Sequence, residues 1–121
     1  MAIPHAVLES DAYRGLSHAA TKLLVDITGQ FHGANNGDLV ACMSVLRPMG
    51  WRSSATLNRC VQELIDAGLI QRTRQGGMNA GPNLYAVTWL GIDDCRNKNG
   101  SNKLDVSQSA KPSGLWKKKS Q

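Results

Sequence analysis

The feature that most constrains the fold is an apolar stripe in the middle of the chain, followed by a glycine. Its members lie at positions i, i+3, i+4, i+7 and i+8, and they are Leu57, Cys60, Val61, Leu64 and Ile65. This spacing places all of them on one face of an α-helix, which must bury that face against the rest of the chain. Ser53 or Ser54 can cap the start of this helix, and Gly68 can end it.

A second helix is predicted upstream by a longer stripe of the same period. Its apolar residues are Leu16, Ala19, Ala20, Leu23, Leu24, Ile27 and Phe31. Ser17 is a suitable cap for this helix, and either Gly29 or Gly33 can end it.

Shorter elements surround this upstream helix. Residues 3–13 predict a short helix or a packed arm, residues 35–37 (NNG) a turn, and residues 39–41 a short strand. Residues 43–49 predict a helix of two turns at most, because Pro48 has no backbone donor.

Two strands are predicted after the central helix, over residues 69–74 and 84–90. Alternating apolar side chains in the second strand are Tyr85, Val87 and Trp89. Between the strands, residues 75–83 include three glycines and one proline, and they form a loop too long for a tight hairpin turn.

The positive charge of the chain is concentrated near its C-terminal end. The 121 residues carry a net charge of +5, yet residues 1–93 hold seven basic and seven acidic residues. Residues 94–121 hold seven basic and two acidic residues and show no helix or strand period, so they cannot bury enough surface to fold alone. We therefore predict one domain over residues 1–93, which includes an N-terminal arm. A basic, largely irregular tail follows over residues 94–121.

This order of elements resembles a winged helix-turn-helix domain. Residues 50–77, GWRSSATLNRCVQELIDAGLIQRTRQGG, look like the turn, recognition helix and first wing strand of that family, and residues 84–89, LYAVTW, look like the second wing strand. More narrowly, the chain is similar to small winged-helix proteins of bacterial phages, plasmids and other mobile elements. The stretches that carry this similarity are NNGDL, TRQGG, and KLD followed by a proline and LW. The resemblance implies an α+β, mostly α fold with a three-helix core, a short strand and a two-stranded wing.

The face of the central helix opposite its apolar stripe carries side chains suited to nucleic acid. Arginine and amide side chains on such a face can enter a major groove about 12 Å wide and bind base edges. Base contacts are predicted for Arg52, Thr56, Arg59 and Gln62. Phosphate contacts, helped by the free amides of the helix start, are predicted for Ser53, Ser54 and Asn58.

The predicted wing extends this set. Arg72 and Arg74, at alternate positions of the first strand, are expected to face the DNA backbone or minor groove together with the wing tip, which includes Gln75 and Asn79. A merely solvated face is the other interpretation of these residues. Exposed arginines, however, rarely cluster on a recognition element that has no nucleic-acid role.

The tail leaves three alternatives open. Lys117, Lys118 and Lys119 could form an electrostatic arm, dock as a peptide on a partner, or remain solvated. Leu115 and Trp116 are expected to pack against the domain or against a second copy, because an isolated tryptophan in a polar segment usually finds a partner surface.

Other classes of function find little support in the residues present. His5, His18 and His32 lie far apart, and the chain has no Cys-x-x-Cys or His-x-x-x-His pair, so we expect no enzyme, no metal and no cofactor. Three scattered cysteines are typical of thiols in a reducing compartment.

A membrane partner is not expected either. The chain has no run of the roughly 20 apolar residues needed to span a bilayer. His5, Glu9 and Asp11 interrupt what would have to be a signal peptide. We therefore expect a protein of the bacterial cytoplasm.

The sequence thus predicts a protein that binds double-stranded DNA sequence-specifically, as a transcriptional regulator or a replication accessory factor, working as a homodimer or in tandem. The alternative is a protein-interaction module that inhibits a host defence complex, as anti-CRISPR proteins do. A local basic patch would favour DNA, whereas arginines that point apart or are paired internally would favour the alternative.

Overall fold

The computed structural model describes residues 2–77 and 81–119, with the backbone alone at positions 118 and 119. Within these residues the chain forms five α-helices and one two-stranded antiparallel sheet, which confirms the predicted α+β class. The elements are α1 (His5–Leu8), α2 (Asp11–Arg14), α3 (His18–Thr28), α4 (Met43–Leu46), α5 (Ser54–Asp66), β1 (Ile70–Arg74) and β2 (Leu84–Val87). Two 3₁₀ turns cover Arg47–Met49 and Leu115–Lys119. None of the helices in this described part is long and apolar enough to cross a bilayer.

Both long helices begin and end as their sequences predict. The hydroxyl of Ser17 accepts a hydrogen bond from the amide of Ala20 at 3.2 Å, and that of Ser53 accepts one from the amide of Thr56 at 3.2 Å. Gly29 follows the last residue of α3. Each serine satisfies one of the amides that a helix start leaves without an intrahelical partner.

The core forms where the apolar stripes of α3 and α5 meet. Leucines and an isoleucine that are fully buried or nearly so make up this contact, and they include Leu23, Leu24, Ile27, Leu57 and Leu64. Burying a side chain of this size contributes about 1.5–3 kcal/mol. The carboxylate of Glu63 adds a polar link, since it accepts hydrogen bonds from the amide and hydroxyl of Ser17 at 2.6 and 2.8 Å.

The predicted short helix over residues 43–49 divides into two parts. Its first turn is α4, and Arg47–Met49 continues as a 3₁₀ turn that contains Pro48. Proline lacks the amide hydrogen that an α-helix would use there, which accounts for the change. Residues 3–13, predicted as a short helix or arm, form the single turns α1 and α2.

The predicted strand over residues 39–41 is reduced to one bridge. Leu39 and Tyr85 exchange backbone hydrogen bonds of 3.2 and 2.8 Å. The next residue, Val40, pairs with the side chain of Gln30 at both its amide and its carbonyl, at 2.9 and 2.8 Å. The side-chain amide of Gln30 therefore satisfies the backbone of Val40, where a further strand would otherwise pair.

Strand β1 contains an extra residue between Arg72 and Arg74. Arg72 pairs with Tyr85, whereas Arg74 pairs with the next residue back, Leu84, so that Thr73 is an extra residue in β1. The hydroxyl of Thr73 donates to the carbonyl of Gly37 at 2.5 Å. This β-bulge shifts the alternation of side chains after Arg72.

Strand β2 is buried on both faces and ends at Val87, earlier than predicted. Tyr85 and Val87 pack against the helices, whereas Leu84 packs against Cys95 and Leu104 of the C-terminal segment. The strand is apolar on both sides because a different part of the chain covers each side.

The C-terminal segment, residues 94–119, is irregular in backbone but packed onto the fold. Its backbone amides at Asp105 and Gly114 donate to the carbonyls of Thr73 and Thr88, at 2.8 and 3.0 Å. Trp116 is only 9% exposed and belongs to the main core. The predicted packing of Trp116 against the domain is what the structure describes.

Asn36 links the turn after α3 to the end of β2. Its fully buried side chain donates to the carbonyls of Val87, Leu90 and Gly91 at 3.2, 3.3 and 2.8 Å, and accepts from the amide of Val87 at 2.9 Å. Its own amide donates to the carboxylate of Asp93 at 2.7 Å. One side chain thus satisfies the backbone where β2 ends.

Replacing Asn36 is expected to destabilise the fold strongly. Asn36→Ala leaves the buried amide of Val87 and three carbonyls without this partner, and we expect a loss of about 2–4 kcal/mol in the free energy of unfolding. Asn36→Asp keeps the shape but removes the donor, and should lose a similar amount. Urea denaturation measures both, with the exposed Asn58→Ala as control, which should change stability by less than about 1 kcal/mol. Wild-type stability in both Asn36 variants would contradict this role.

A second prediction concerns Gly68, where the C-terminal segment comes closest to α5. Gly68 has φ 77°, and a Cβ there would lie 2.5 Å from the carbonyl oxygen of Leu115. Gly50 also has a positive φ, 103°, but no atom lies within 4 Å of its Cβ position. Both alanine variants lose roughly 1–2 kcal/mol from the backbone conformation. Gly68→Ala should lose clearly more, and should expose Trp116, measured as a red shift of tryptophan fluorescence. Equal losses would show that the close approach carries no energy.

Candidate nucleic-acid interface

The outer face of α5 presents most of the predicted base-contact residues to solvent. Asn58, Arg59 and Gln62 are exposed on the helix, and Arg52 is exposed just before it. Thr56 is half-buried. At about 100° per residue it lies on the flank of Glu63, which contacts the start of α3, and not on the outer face.

The start of α5 is fixed by contacts to α3. The carboxylate of Asp26 accepts hydrogen bonds from Lys22 and from the indole of Trp51, at 2.7 and 2.8 Å. Lys22 also donates to the carbonyl of Met49 at 2.9 Å and lies 5.2 Å from the Trp51 ring centre. The turn that precedes Arg52 is thereby attached to α3 at Met49 and at Trp51.

Ser53 and Ser54 lie at the helix start and are exposed, as a phosphate contact requires. The hydroxyl oxygen of Ser53 already accepts a hydrogen bond from the amide of Thr56. Ser53 is therefore a helix cap, and because the cap uses only a lone pair of its oxygen, the O–H groups of both serines remain donors for a phosphate.

A cleft of about 470 Å³ separates α5 from the sheet, and we call it the α5–sheet cleft. From α5 it is lined by Ser54, Leu57, Asn58, Val61 and Gln62. The opposite side is lined by Ala41, Cys42, Met43, Arg72, Pro82, Asn83 and Tyr85. The structure thus brings Asn58, Gln62 and Arg72 together, although they come from different elements.

Arg72 is exposed and stacks on its cross-strand neighbour. Its guanidinium carbon lies 5.9 Å from the ring centre of Tyr85, a cation–π distance. Opposite residues in an antiparallel pair stand close together on one face, which explains the contact. The aromatic ring restricts the orientation of a cation that would otherwise be mobile.

Arg74 does not share the environment of Arg72. The bulge places it opposite Leu84, which packs towards the C-terminal segment, and its guanidinium donates to the carbonyl of Pro82 at 3.2 Å. The simple alternation expected for Arg72 and Arg74 is broken for this reason. Arg74 shapes the loop between the strands.

The base of that loop is held by side chains from outside β1. The amide of Gln75 donates to the carboxylate of Asp105 at 2.8 Å, and the amide of Gly76 donates to the side-chain oxygen of Asn83 at 2.5 Å. The side chain of Gln75 is exposed. Asn79, also predicted to contact DNA, lies outside the described residues.

The acidic residues near this face already accept hydrogen bonds from uncharged groups of the fold. Glu63 binds the start of α3, and Asp66 accepts a hydrogen bond from Gln62 at 2.8 Å. Among the described carboxylates, none lies within ion-pair distance of Arg47, Arg52, Arg59 or Arg72. The positive charge on this side of the molecule is therefore available to an anionic ligand.

Lys117 lies far from Arg52. It follows Trp116, whose backbone contacts Gly68 beyond the end of α5, so the length of the helix, about 20 Å, separates it from Arg52. Lys117 is exposed and lies over the ring of Trp116 at 5.6 Å. The side chains of Lys118 and Lys119 lie outside the described part of the chain.

The cysteines are separate thiols with different exposure. Cys42 is half-buried, whereas Cys60 and Cys95 are buried. Burial raises the pKa of Cys60, and burial together with the nearby Asp38 and Asp93 raises the pKa of Cys95 to about 11. In the part of the chain that the structure describes, no three His, Cys, Asp or Glu side chains come together as metal ligands. The absence of catalysis remains a prediction.

Comparison of the chain with protein-family models, with curated proteins and with solved structures gives no match. The interface is therefore interpreted from its own geometry.

Three residues of the site carry no signal in the sequence analysis. Tyr85 holds Arg72, Asn83 lines the cleft, and Asp105 fixes the amide of Gln75. The cross-strand pairing of Arg72 with Tyr85 would follow from the register, but the bulge that sets this register is not visible in the sequence. Asp105 belongs to the C-terminal segment, in which the sequence predicts packing only for Leu115 and Trp116.

The thiols should differ in reactivity towards an aromatic disulfide reagent at pH 8. Only the thiolate reacts, and a pKa of about 11 leaves Cys95 almost wholly protonated. We expect Cys42 to react in the native protein and Cys60 and Cys95 only after unfolding in urea. Cys42→Ser should abolish the native reaction. Rapid native modification of Cys95 would contradict its burial.

Proposed function

We propose that the chain is a winged helix-turn-helix protein that binds double-stranded DNA. In this proposal α5 enters the major groove, and β1, β2 and the loop between them form a wing along the backbone. Support comes from the order of elements, from the packing of α5 on α3, and from the sheet that follows α5 directly.

The observation that carries the proposal is the outer face of α5. It bears Arg59 and Gln62, with Asn58 on the flank beside the cleft and Arg52 beside the helix start, and the arginines have no described carboxylate partner. Arginine and amide groups form the bidentate contacts that distinguish guanine and adenine in the major groove. A helix of about 20 Å with this face exposed fits such a groove.

The residues take different roles in this complex. Arg52 and Arg59 reach base edges, Asn58 and Ser54 contact phosphates, and Arg72 contacts the backbone from the wing. Gln62 must exchange its hydrogen bond with Asp66 for a base contact. Thr56 and Arg74 support the fold and the loop, on the contacts described above.

Within this proposal the protein is a transcriptional regulator or a replication accessory factor of a mobile element in the bacterial cytoplasm. Two copies on a palindromic site would place two α5 helices one DNA turn apart, about 34 Å. The homodimer, like the site of action, remains part of the proposal.

DNA binding is tested by fluorescence anisotropy with the DNA upstream of the chain's own gene and with sites enriched from a random pool. Affinity should fall steeply with salt, because Lys and Arg displace counterions from phosphates. Arg59→Ala and Arg52→Ala should each lose about 1–3 kcal/mol, roughly 5- to 150-fold in Kd, and should relax specificity.

A matched control removes one positive charge elsewhere. Lys98 is exposed on the C-terminal segment and does not line the interface, so Lys98→Ala should leave the affinity for the enriched site close to that of the wild type. No binding to any duplex at low salt would refute the proposal. Equal losses in Lys98→Ala and Arg59→Ala would reduce it to nonspecific attraction.

The protein-interaction alternative is favoured by a different observation. Val25 on α3 and Met49 in the 3₁₀ turn are large apolar side chains that are 52% and 43% exposed. Contiguous apolar surface marks protein contacts, and the second proposal takes Val25 and Met49 as the centre of such a surface. In this second proposal they bind a host defence complex and inhibit it. Capture of such a complex from nuclease-treated host lysate, lost in Val25→Glu/Met49→Glu but kept in Arg59→Ala, would support it. Loss in Arg59→Ala alone would exclude it.

A further inference from the structure

The α5–sheet cleft has the composition of a site for a small organic ligand. Its volume of about 470 Å³ falls within the range of roughly 300–1,000 Å³ that is typical of ligand pockets. Leu57 and Val61, both buried, form an apolar part of its wall, and polar side chains lie on the α5 side and on the sheet side. An apolar wall with a few polar groups binds a flat organic molecule with polar edges.

The charge of the cleft selects an anion. Arg72 is the one charged residue among the described lining residues. Tyr85 restricts its guanidinium, and no described carboxylate neutralises it. A planar guanidinium with its donors available binds a phosphate through two parallel hydrogen bonds.

Side-chain amides face the cleft from both sides. Asn58 and Gln62 lie on α5, and Asn83 lies opposite. The amino group of Gln62 donates to Asp66, and the oxygen of Asn83 accepts from Gly76. This leaves a carbonyl oxygen on Gln62 and an amino group on Asn83 for a ligand. Nucleobase edges carry donors and acceptors that match such groups.

We propose that this cleft binds one nucleoside monophosphate unit. The base lies against Leu57 and Val61, with its edges between the amides of Asn58 and Gln62 on one side and the amide of Asn83 on the other, and Arg72 binds the phosphate. The unit is either a free mononucleotide or an unpaired nucleotide of a single strand. The inference goes beyond the proposed binding of double-stranded DNA, although it shares Asn58, Gln62 and Arg72 with that interface.

The test is a titration of the full-length ¹⁵N-labelled chain with AMP, GMP, CMP and dTMP, followed by the backbone amide signals of residues 58, 62, 72 and 83. Adenosine and inorganic phosphate serve as the two halves of the ligand. We expect at least one mononucleotide to bind about tenfold more tightly than either half, because base and phosphate contacts act together. Equal binding of inorganic phosphate, or shifts only outside the cleft, would overturn the inference.

Variants of exposed residues keep the fold intact while changing the cleft. Arg72→Ala should weaken the mononucleotide about tenfold or more, and Arg72→Lys should recover only part of the loss, because lysine lacks the planar fork. Asn58→Ala should weaken the mononucleotide but not inorganic phosphate. Arg47→Ala removes an exposed arginine outside the cleft and should bind as the wild type does. Equal effects of Arg47→Ala and Arg72→Ala would refute the assignment.

A single-stranded trinucleotide distinguishes the two sources of the nucleotide. Tighter binding of the trinucleotide with the same amide shifts assigns the unit to a strand, and tighter binding of a mononucleotide assigns it to a free ligand. If neither binds, the inference fails. Duplex binding through Arg52 and Arg59 is then judged separately, since neither residue lines the cleft.

Discussion

The buried side chain of Asn36 is the interaction on which the arrangement of the sheet depends. It lies in a turn next to the helical core, and it satisfies backbone groups at the end of β2 and in the residues just after it, Leu90 and Gly91. Buried amides and carbonyls without partners are strongly unfavourable, so the chain cannot leave β2 in another direction without losing these bonds. The position of β2 fixes Tyr85, and Tyr85 in turn orients Arg72. The hydrogen bonds of Asn36 to Val87 thus act on the orientation of Arg72 through Tyr85.

The C-terminal segment changes the meaning of the net charge. The sequence leaves open whether this basic segment is an electrostatic arm, a docking peptide or a solvated end; in the structure Cys95, Leu104 and Trp116 are buried against the fold, and Lys103 forms an ion pair with Asp38 at 3.0 Å. Part of the charge of this segment is paired within the fold, as Lys103 with Asp38 and Arg96 with Asp94 show, and Lys117 lies beyond the end of α5. Nucleic-acid binding, if α5 performs it, depends on a few arginines whose acidic neighbours are already engaged with structural partners.

The sequence predicts α3 and α5 with their caps because these features are local. A serine, a glycine and a period of 3.6 act within a few residues of one another. Of the strand predicted over residues 39–41, only the pairing of Leu39 with Tyr85 of β2 forms, and the next residue, Val40, pairs with the side chain of Gln30. The contacts of Thr73 in the bulge and of Asp105 join residues thirty or more positions apart. Such pairings are decided by tertiary packing, which no short window of sequence contains. The exposed residues of α5 were predictable, but the cleft beside them was not.

The hydrogen bond between Asp105 and the amide of Gln75 has a consequence for motion. Residues 96–102 and 107–113 of the C-terminal segment are exposed throughout, and few apolar side chains hold them. Segments of this kind open locally with a smaller free energy than the core requires. When this one opens, the carboxylate of Asp105 leaves with it, and the base of the loop between β1 and β2 loses an anchor while α3 and α5 remain folded. The amide of Gln75 loses its acceptor in the same event, so hydrogen exchange at Gln75 should follow hydrogen exchange at Asp105.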